Sequence, residues 1–96
     1  MELSLKIITP QGTFGPYICD SIHLNVSDDL EGKGGGSYGI RQGHAKAMLS
    51  LQAGILDAYL NENQILLAKV GCGFASVEQN VVNVVVETCQ IEKDLQ

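Results

Sequence analysis

The chain has 96 residues, enough for one small domain and a single core. Apolar residues make up 45% and charged residues 18%, which excludes global disorder, and aromatics are only 5% with no Trp, so an aliphatic core is expected. The net charge is −5, and the six basic residues (Lys6, Lys33, Arg41, Lys46, Lys69 and Lys93) form no cluster, which argues against nucleic acid or an anionic membrane as a direct partner.

Unbroken apolar runs reach only three or four residues, far below the roughly 20 of a membrane span. Met1-Glu2 leads straight into an alternating segment, so no secretory signal is read there. Three cysteines (Cys19, Cys72, Cys89) without a C-x-x-C suggest neither a disulfide framework nor a zinc site; reduced, buried thiols are expected.

The dominant period is two. Leu3, Leu5 and Ile7 share one face of a first strand, with Glu2, Ser4 and Lys6 on the other. Thr9-Pro10-Gln11-Gly12 is a tight turn. Tyr17 to Val26 reads as one alternating strand, with Ile18, Ile22, Leu24 and Val26 in phase against Cys19, Ser21, His23 and Asn25. Asp28 to Ser37 is polar and glycine-dense, hence a loop. Tyr38-Gly39-Ile40 is a short extended piece, and Arg41-Gln42-Gly43-His44 turns the chain.

Lys46 to Leu51 is rich in helix formers, yet Ala47, Leu49 and Leu51 alternate with Lys46, Met48 and Ser50, which favours a strand. Ile55 to Leu60 alternates again, and Asn61-Glu62-Asn63 signals a hairpin. Gln64 to Val70 is apolar on both faces and reads as a central strand. Gly71-Cys72-Gly73 interrupts the pattern, which suggests a bulge or close backbone approach. Phe74 to Glu78 and Val81 to Thr88 are strands joined at Gln79-Asn80. The tail differs, since Ile91 and Leu95 stand at helical spacing. About eight to ten short strands with regular turns predict an all-β fold, a flattened antiparallel sandwich or barrel.

Catalytic chemistry finds little support. Gly32-Lys33-Gly34-Gly35-Gly36-Ser37 carries Lys and Ser among glycines, but lacks the spacing and the following helix of a phosphate loop. His23 and Cys19 would lie about 13 Å apart along a strand, too far to share a metal. Asp20, Asp28, Asp29 and Glu31 are possible partners of a histidine only by proximity in sequence. Cys72, between glycines, has no helix N-terminus or same-face cation to activate it. No catalytic residues, metal site or cofactor are expected. The competing readings are a β-sandwich ligand- or protein-binding module and, more remotely, a small thiol or metal enzyme.

Taken in order, several motifs resemble the epsilon-subunit family of F-type ATP synthases. They are Thr9-Pro10-Gln11-Gly12, the strand Cys19 to Val26, Gly39-Ile40-Arg41-Gln42-Gly43-His44-Ala45-Lys46, Leu51-Gln52-Ala53-Gly54-Ile55-Leu56, Val70-Gly71-Cys72-Gly73-Phe74-Ala75-Ser76-Val77, and the run from Asn80 through Val82 and Val84 to Thr88. Gln42 and Lys46 stand where that family often has prolines, and the loop from Asp28 to Ser37 is longer than usual.

The resemblance implies a non-catalytic rotor subunit, peripheral on the cytoplasmic side of a bacterial membrane, that docks gamma onto the c-ring. It divides the chain into a sandwich domain over 1–88 and a tail over 89–96, where the family's helical hairpin would begin. Inhibition and ATP binding belong to that hairpin and are not carried over. By motif position, Lys33, Ser37, Tyr38, Gly39 and Arg41 would face the c-ring. Thr9, Pro10, Gly43 and His44 would face gamma.

Overall fold

Alternation with period two becomes strand after strand in the computed structural model, which describes residues 2–27 and 35–96. The strands are β1 (Leu3–Thr9), β2 (Gly12–Cys19), β3 (Ser21–Val26), β4 (Gly36–Arg41) and β5 (Ala47–Leu51), followed by β6 (Gly54–Leu60), β7 (Asn63–Val70), β8 (Gly73–Glu78), β9 (Val81–Val86) and β10 (Cys89–Asp94). They pair in the order β10-β7-β6-β3-β5-β8-β9-β1-β2, with β4 on β3. Neighbours are antiparallel except β1 and β9, which run parallel.

The curl originates at β3. One edge pairs with β4 over its whole length, while the other is shared by β6 at Ser21–His23 and by β5 at Val26. Two leaves therefore diverge from β3, namely β4-β3-β6-β7-β10 and β5-β8-β9-β1-β2. At the far side, side chains draw the leaf ends together: the Tyr17 hydroxyl donates to Asp94 Oδ2 (3.1 Å), and the Gln96 amide bonds both the Ile18 N–H (2.7 Å) and the Ile18 carbonyl (2.6 Å). The result is a flattened half-barrel of 38 × 30 × 20 Å. The predicted all-β class and flattened β-sandwich architecture hold.

The inward phases form one core, with Leu3, Leu5 and Ile7 from β1, Ile22 and Leu24 from β3, Leu56 and Ala58 from β6, and Val82, Val84 and Val86 from β9. It is aliphatic but for Tyr17 and Cys19. The hairpin turns at Asn61-Glu62 and Gln79-Asn80 adopt positive φ at both central residues (52° and 69°, 52° and 65°), the backbone twist that tight two-residue hairpins require.

Three expectations are corrected. The expected single strand from Tyr17 to Val26 is two, broken at Asp20, whose N–H donates to the Tyr59 carbonyl (2.8 Å) and whose Oδ2 accepts from the Asn61 N–H (2.9 Å). The phase slips there, so that Cys19 and Ile22 are both buried and Ile18 is 42% exposed. The tail is also not the start of a helix: Cys89–Asp94 is a strand on the edge of β7, and Leu95 is exposed. A few residues of isolated helix are marginal in water, whereas the ladder satisfies the backbone groups of β7 at once. Residues 89–94 thus belong to the sheet of the sandwich. Finally, the thiols are not uniformly buried; Cys19 is buried, Cys89 half-buried and Cys72 exposed.

Candidate functional site

Register decides which outward side chains become neighbours. Across β5, β8, β9 and β1, the outward row Ser50, Phe74, Val85 and Ile8 lies at one level, Met48, Ser76, Asn83 and Lys6 at the next, and Glu78, Val81 and Ser4 at the third. Ile18 on β2 continues the third row. The outer face of this leaf thus collects Met48 (68% exposed), Val81 (47%), Phe74 (43%) and Ile18, with Ile8 and Val85 half-buried between them. Ser4, Ser50, Ser76, Asn83 and Lys6 lie between them. A shallow hollow of about 410 Å³, lined by Ile8, Thr9, Pro10, Phe74 and Val85 among others, marks one end. Lys46 and Glu78 pair at the rim of the other end, 3.6 Å apart.

The residues expected from sequence to face gamma fall around this face. Thr9 and Pro10 form the β1–β2 turn, where the Thr9 hydroxyl donates to the Gly12 carbonyl (3.0 Å) and accepts from the Gln11 N–H (3.2 Å). Gly43 and His44 lie at the opposite end, because the Gly43 N–H donates to Asn80 Oδ1 (2.8 Å) in the β8–β9 turn. The length of β9 separates the two pairs, about 17 Å at 3.3 Å per residue. They bracket the apolar face and do not form one patch.

Ser37, Tyr38, Gly39 and Arg41 all lie on β4. Ser37, Gly39 and Arg41 are exposed, while Tyr38 packs against the core. The Tyr38 hydroxyl is 2.8 Å from His44 Nε2, and His44 Nδ1 is 2.7 Å from the Ala45 carbonyl. A carbonyl only accepts, so Nδ1 carries a proton and, in the neutral ring, Nε2 accepts from Tyr38. The structure thereby joins a residue expected toward the c-ring to one expected toward gamma. Lys33 lies outside the described residues.

The other histidine stands on the outer face of the second leaf. His23 Nδ1 lies 3.1 Å from Asp57 Oδ1, and Tyr59 meets its ring edge-on at 5.8 Å. Gln64 donates to the second Asp57 oxygen (3.4 Å). This orienting carboxylate comes from β6, across the sheet, and is none of the nearby acids that the sequence offered. Among the described residues no hydroxyl bonds the other ring nitrogen.

Cys72 Sγ lies 3.4 Å from Glu87 Oε2, and this hydrogen bond raises the thiol pKa, the reverse of thiolate activation. Burial raises Cys89 as well. No group of three metal-binding side chains occurs among the described residues. What the geometry offers is a rigid β module with an exposed apolar face bracketed by two turns.

That class of protein has a family. Residues 2–92 match the family model of the ATP synthase delta/epsilon chain beta-sandwich domain, and the chain belongs to that family. It is 35% identical over 82 residues to the ATP synthase epsilon chain of Campylobacter lari, covering 85% of this chain and 58% of the relative. It is 26% identical over 93 residues to that of Staphylococcus aureus, covering 97% and 64%. The chain therefore spans about three fifths of these relatives' length. In fold it resembles a chain of the Euglena gracilis mitochondrial ATP synthase (TM-score 0.77, 18% identity, 94% of this chain and 53% of that one). It also resembles one in the central stalk and c-ring structure from Tetrahymena thermophila (TM-score 0.68, 13% identity, 94% and 66%).

Sequence reasoning missed the face itself. The signal was present, because Phe74 shares the phase of Ser76, and Val81 and Val85 share that of Asn83; these are apolar residues on the polar phase of half-buried strands.

Proposed function

We propose that this chain is the docking domain of a central-stalk subunit in a bacterial F-type ATP synthase. It holds gamma on the outer face of β5-β8-β9-β1 and rests on the c-ring through β4, so that ion-driven rotation reaches the catalytic head. It performs no chemistry itself and sits at the cytoplasmic side of the membrane as a peripheral part of the complex. No helix among the described residues is long and apolar enough to cross a membrane.

The observation that carries this reading is the set of exposed apolar side chains, Met48, Phe74, Val81 and Ile18, gathered on one outer face in a member of this family. Covering such side chains releases free energy at about 25 cal/mol per Å². Thr9 and Pro10 at one end, and Gly43 and His44 at the other, are assigned to the margins of the gamma contact. Ser37, Gly39 and Arg41, with Lys33, which lies outside the described residues, are assigned to the c-ring side, and Tyr38 braces that strand against His44.

The test is co-purification with the cognate gamma subunit. The wild-type chain is expected to form a stable complex. Phe74→Asp, which puts a charge among the apolar side chains of the contact, is expected to abolish it while the free chain keeps its fold by circular dichroism. An unaffected complex would sink the assignment of this face.

A further inference from the structure

Among the described residues of the docking face, Lys6 is the one charge set away from the rim. It stands between Ser4 and Ile8 on β1 and beside Asn83 on β9, with Val81 and Val85 on either side of that asparagine. The side chain is exposed, and among the described residues no carboxylate pairs with it, in contrast to Lys46 and Lys69, each 3.6 Å from a glutamate. In the free chain water solvates the ammonium. Ile8 on β1, Val81 on β9 and Ile18 on β2 surround Lys6, so any partner that covers these three together also covers Lys6, and an ammonium removed from water without a counter-charge is strongly disfavoured.

We propose that Lys6 selects the partner of this face, which presents a carboxylate to it within an apolar surround. The inference rests on the reading of that face as the docking site and adds the chemistry of what docks. Apolar contact alone would accept many surfaces. A lone lysine within it rejects those that bring an apolar or basic group to that position, and it fixes the register of those that bring an acid. The partner's acid is an Asp or Glu side chain set within the apolar part of its contact, because Ile8, Val81 and Ile18 lie around Lys6 on β1, β9 and β2.

The experiment measures binding of the full chain to the cognate gamma subunit for wild type, Lys6→Met, Lys6→Glu, Lys6→Arg and Phe74→Asp, at low and high salt. Lys6→Met keeps the stem and removes the charge. It is expected to weaken binding at least about tenfold, because a partner carboxylate is left without its counter-charge. Lys6→Glu is expected to weaken it about a hundredfold, and Lys6→Arg by no more than a few-fold. Lys6→Met should also show a flatter dependence on salt than wild type. Lys6→Met binding as tightly as wild type, while Phe74→Asp still fails, would overturn the role of Lys6 and leave the docking face standing. Unaffected binding by Phe74→Asp would overturn both. Each exposed-face variant is checked for an unchanged melting temperature, so that lost binding is not lost folding.

Discussion

The two leaves differ in what their outer faces present to water. On β3, β6 and β7, His23, Asp57, Tyr59 and Gln64 bond or stack on one another, with Ile55 as the one large apolar side chain left 43% exposed on that face among the described residues. On β5, β8, β9 and β1, Met48, Phe74 and Val81 leave 68%, 43% and 47% of their surface exposed to water. Both faces come from strands of the same period and length. A face whose polar groups are already paired gains little from a partner, since each new hydrogen bond replaces an old one. A face of exposed apolar groups gains from every covered side chain. The first face contributes to the fold, and the second is available for association.

The largest expected effect is on the strand pair that makes the second face. A Cβ at Gly73 would collide with the Val85 carbonyl oxygen, so β8 and β9 approach closely only because residue 73 has no side chain. Gly73→Val is expected to cost about 3 kcal/mol or more in urea unfolding, and to loosen the Phe74–Val85 row with it. An equally stable variant would mean that the two strands tolerate separation and that the face is less rigid than its register implies.

Alkaline titration probes the interior beneath both faces. Burial raises the Cys19 thiol from 9.0 to about 11 and, with a hydrogen bond to Asp94, the Tyr17 hydroxyl from 10.0 to about 12. Between the ordinary and raised values the folded chain keeps a proton that the unfolded chain has lost. Stability therefore falls as pH rises, from about 9 to 11 for Cys19 and from about 10 to 12 for Tyr17. Each contributes on the order of 2–3 kcal/mol, and both groups are buried. Urea midpoints measured across this range should decline, and in Cys19→Ala the decline should begin about one pH unit later. A flat profile would mean that the β2 edge opens to water.

Much of the fold was legible because local pattern and tertiary outcome agree. Leu3, Leu5 and Ile7, or Leu56 and Ala58, face the core as their alternation dictates, and the turns at Asn61-Glu62 and Gln79-Asn80 sit where polar pairs interrupt apolar runs. Legibility failed where a distant partner decides. The corner at Asp20 is fixed by Tyr59 and Asn61, about forty residues away in sequence, and the tail becomes a strand because β7 offers an edge. The site divides in the same way. The motif residues around Gly43 and His44 were found through resemblance. Their bonds to Asn80 and Tyr38, like the alignment of Phe74, Val85 and Ile8, exist only once register is set.

The smallest expected effect sharpens the contrast between the faces most directly. Asp57→Asn keeps the size of the side chain and its ability to bond His23 and Gln64, and removes one charge from a partly exposed pair. Solvent screens such pairs, so the loss in stability is expected to be about 0.5 kcal/mol, with gamma binding unchanged. Paired measurements of urea midpoint and complex formation check this. If binding fell as it does in Phe74→Asp, the polar leaf would also be a docking surface, and the division of labour between the two leaves would be wrong. A small change in stability with intact binding would mean that the pair stabilises its own leaf and contributes nothing to association.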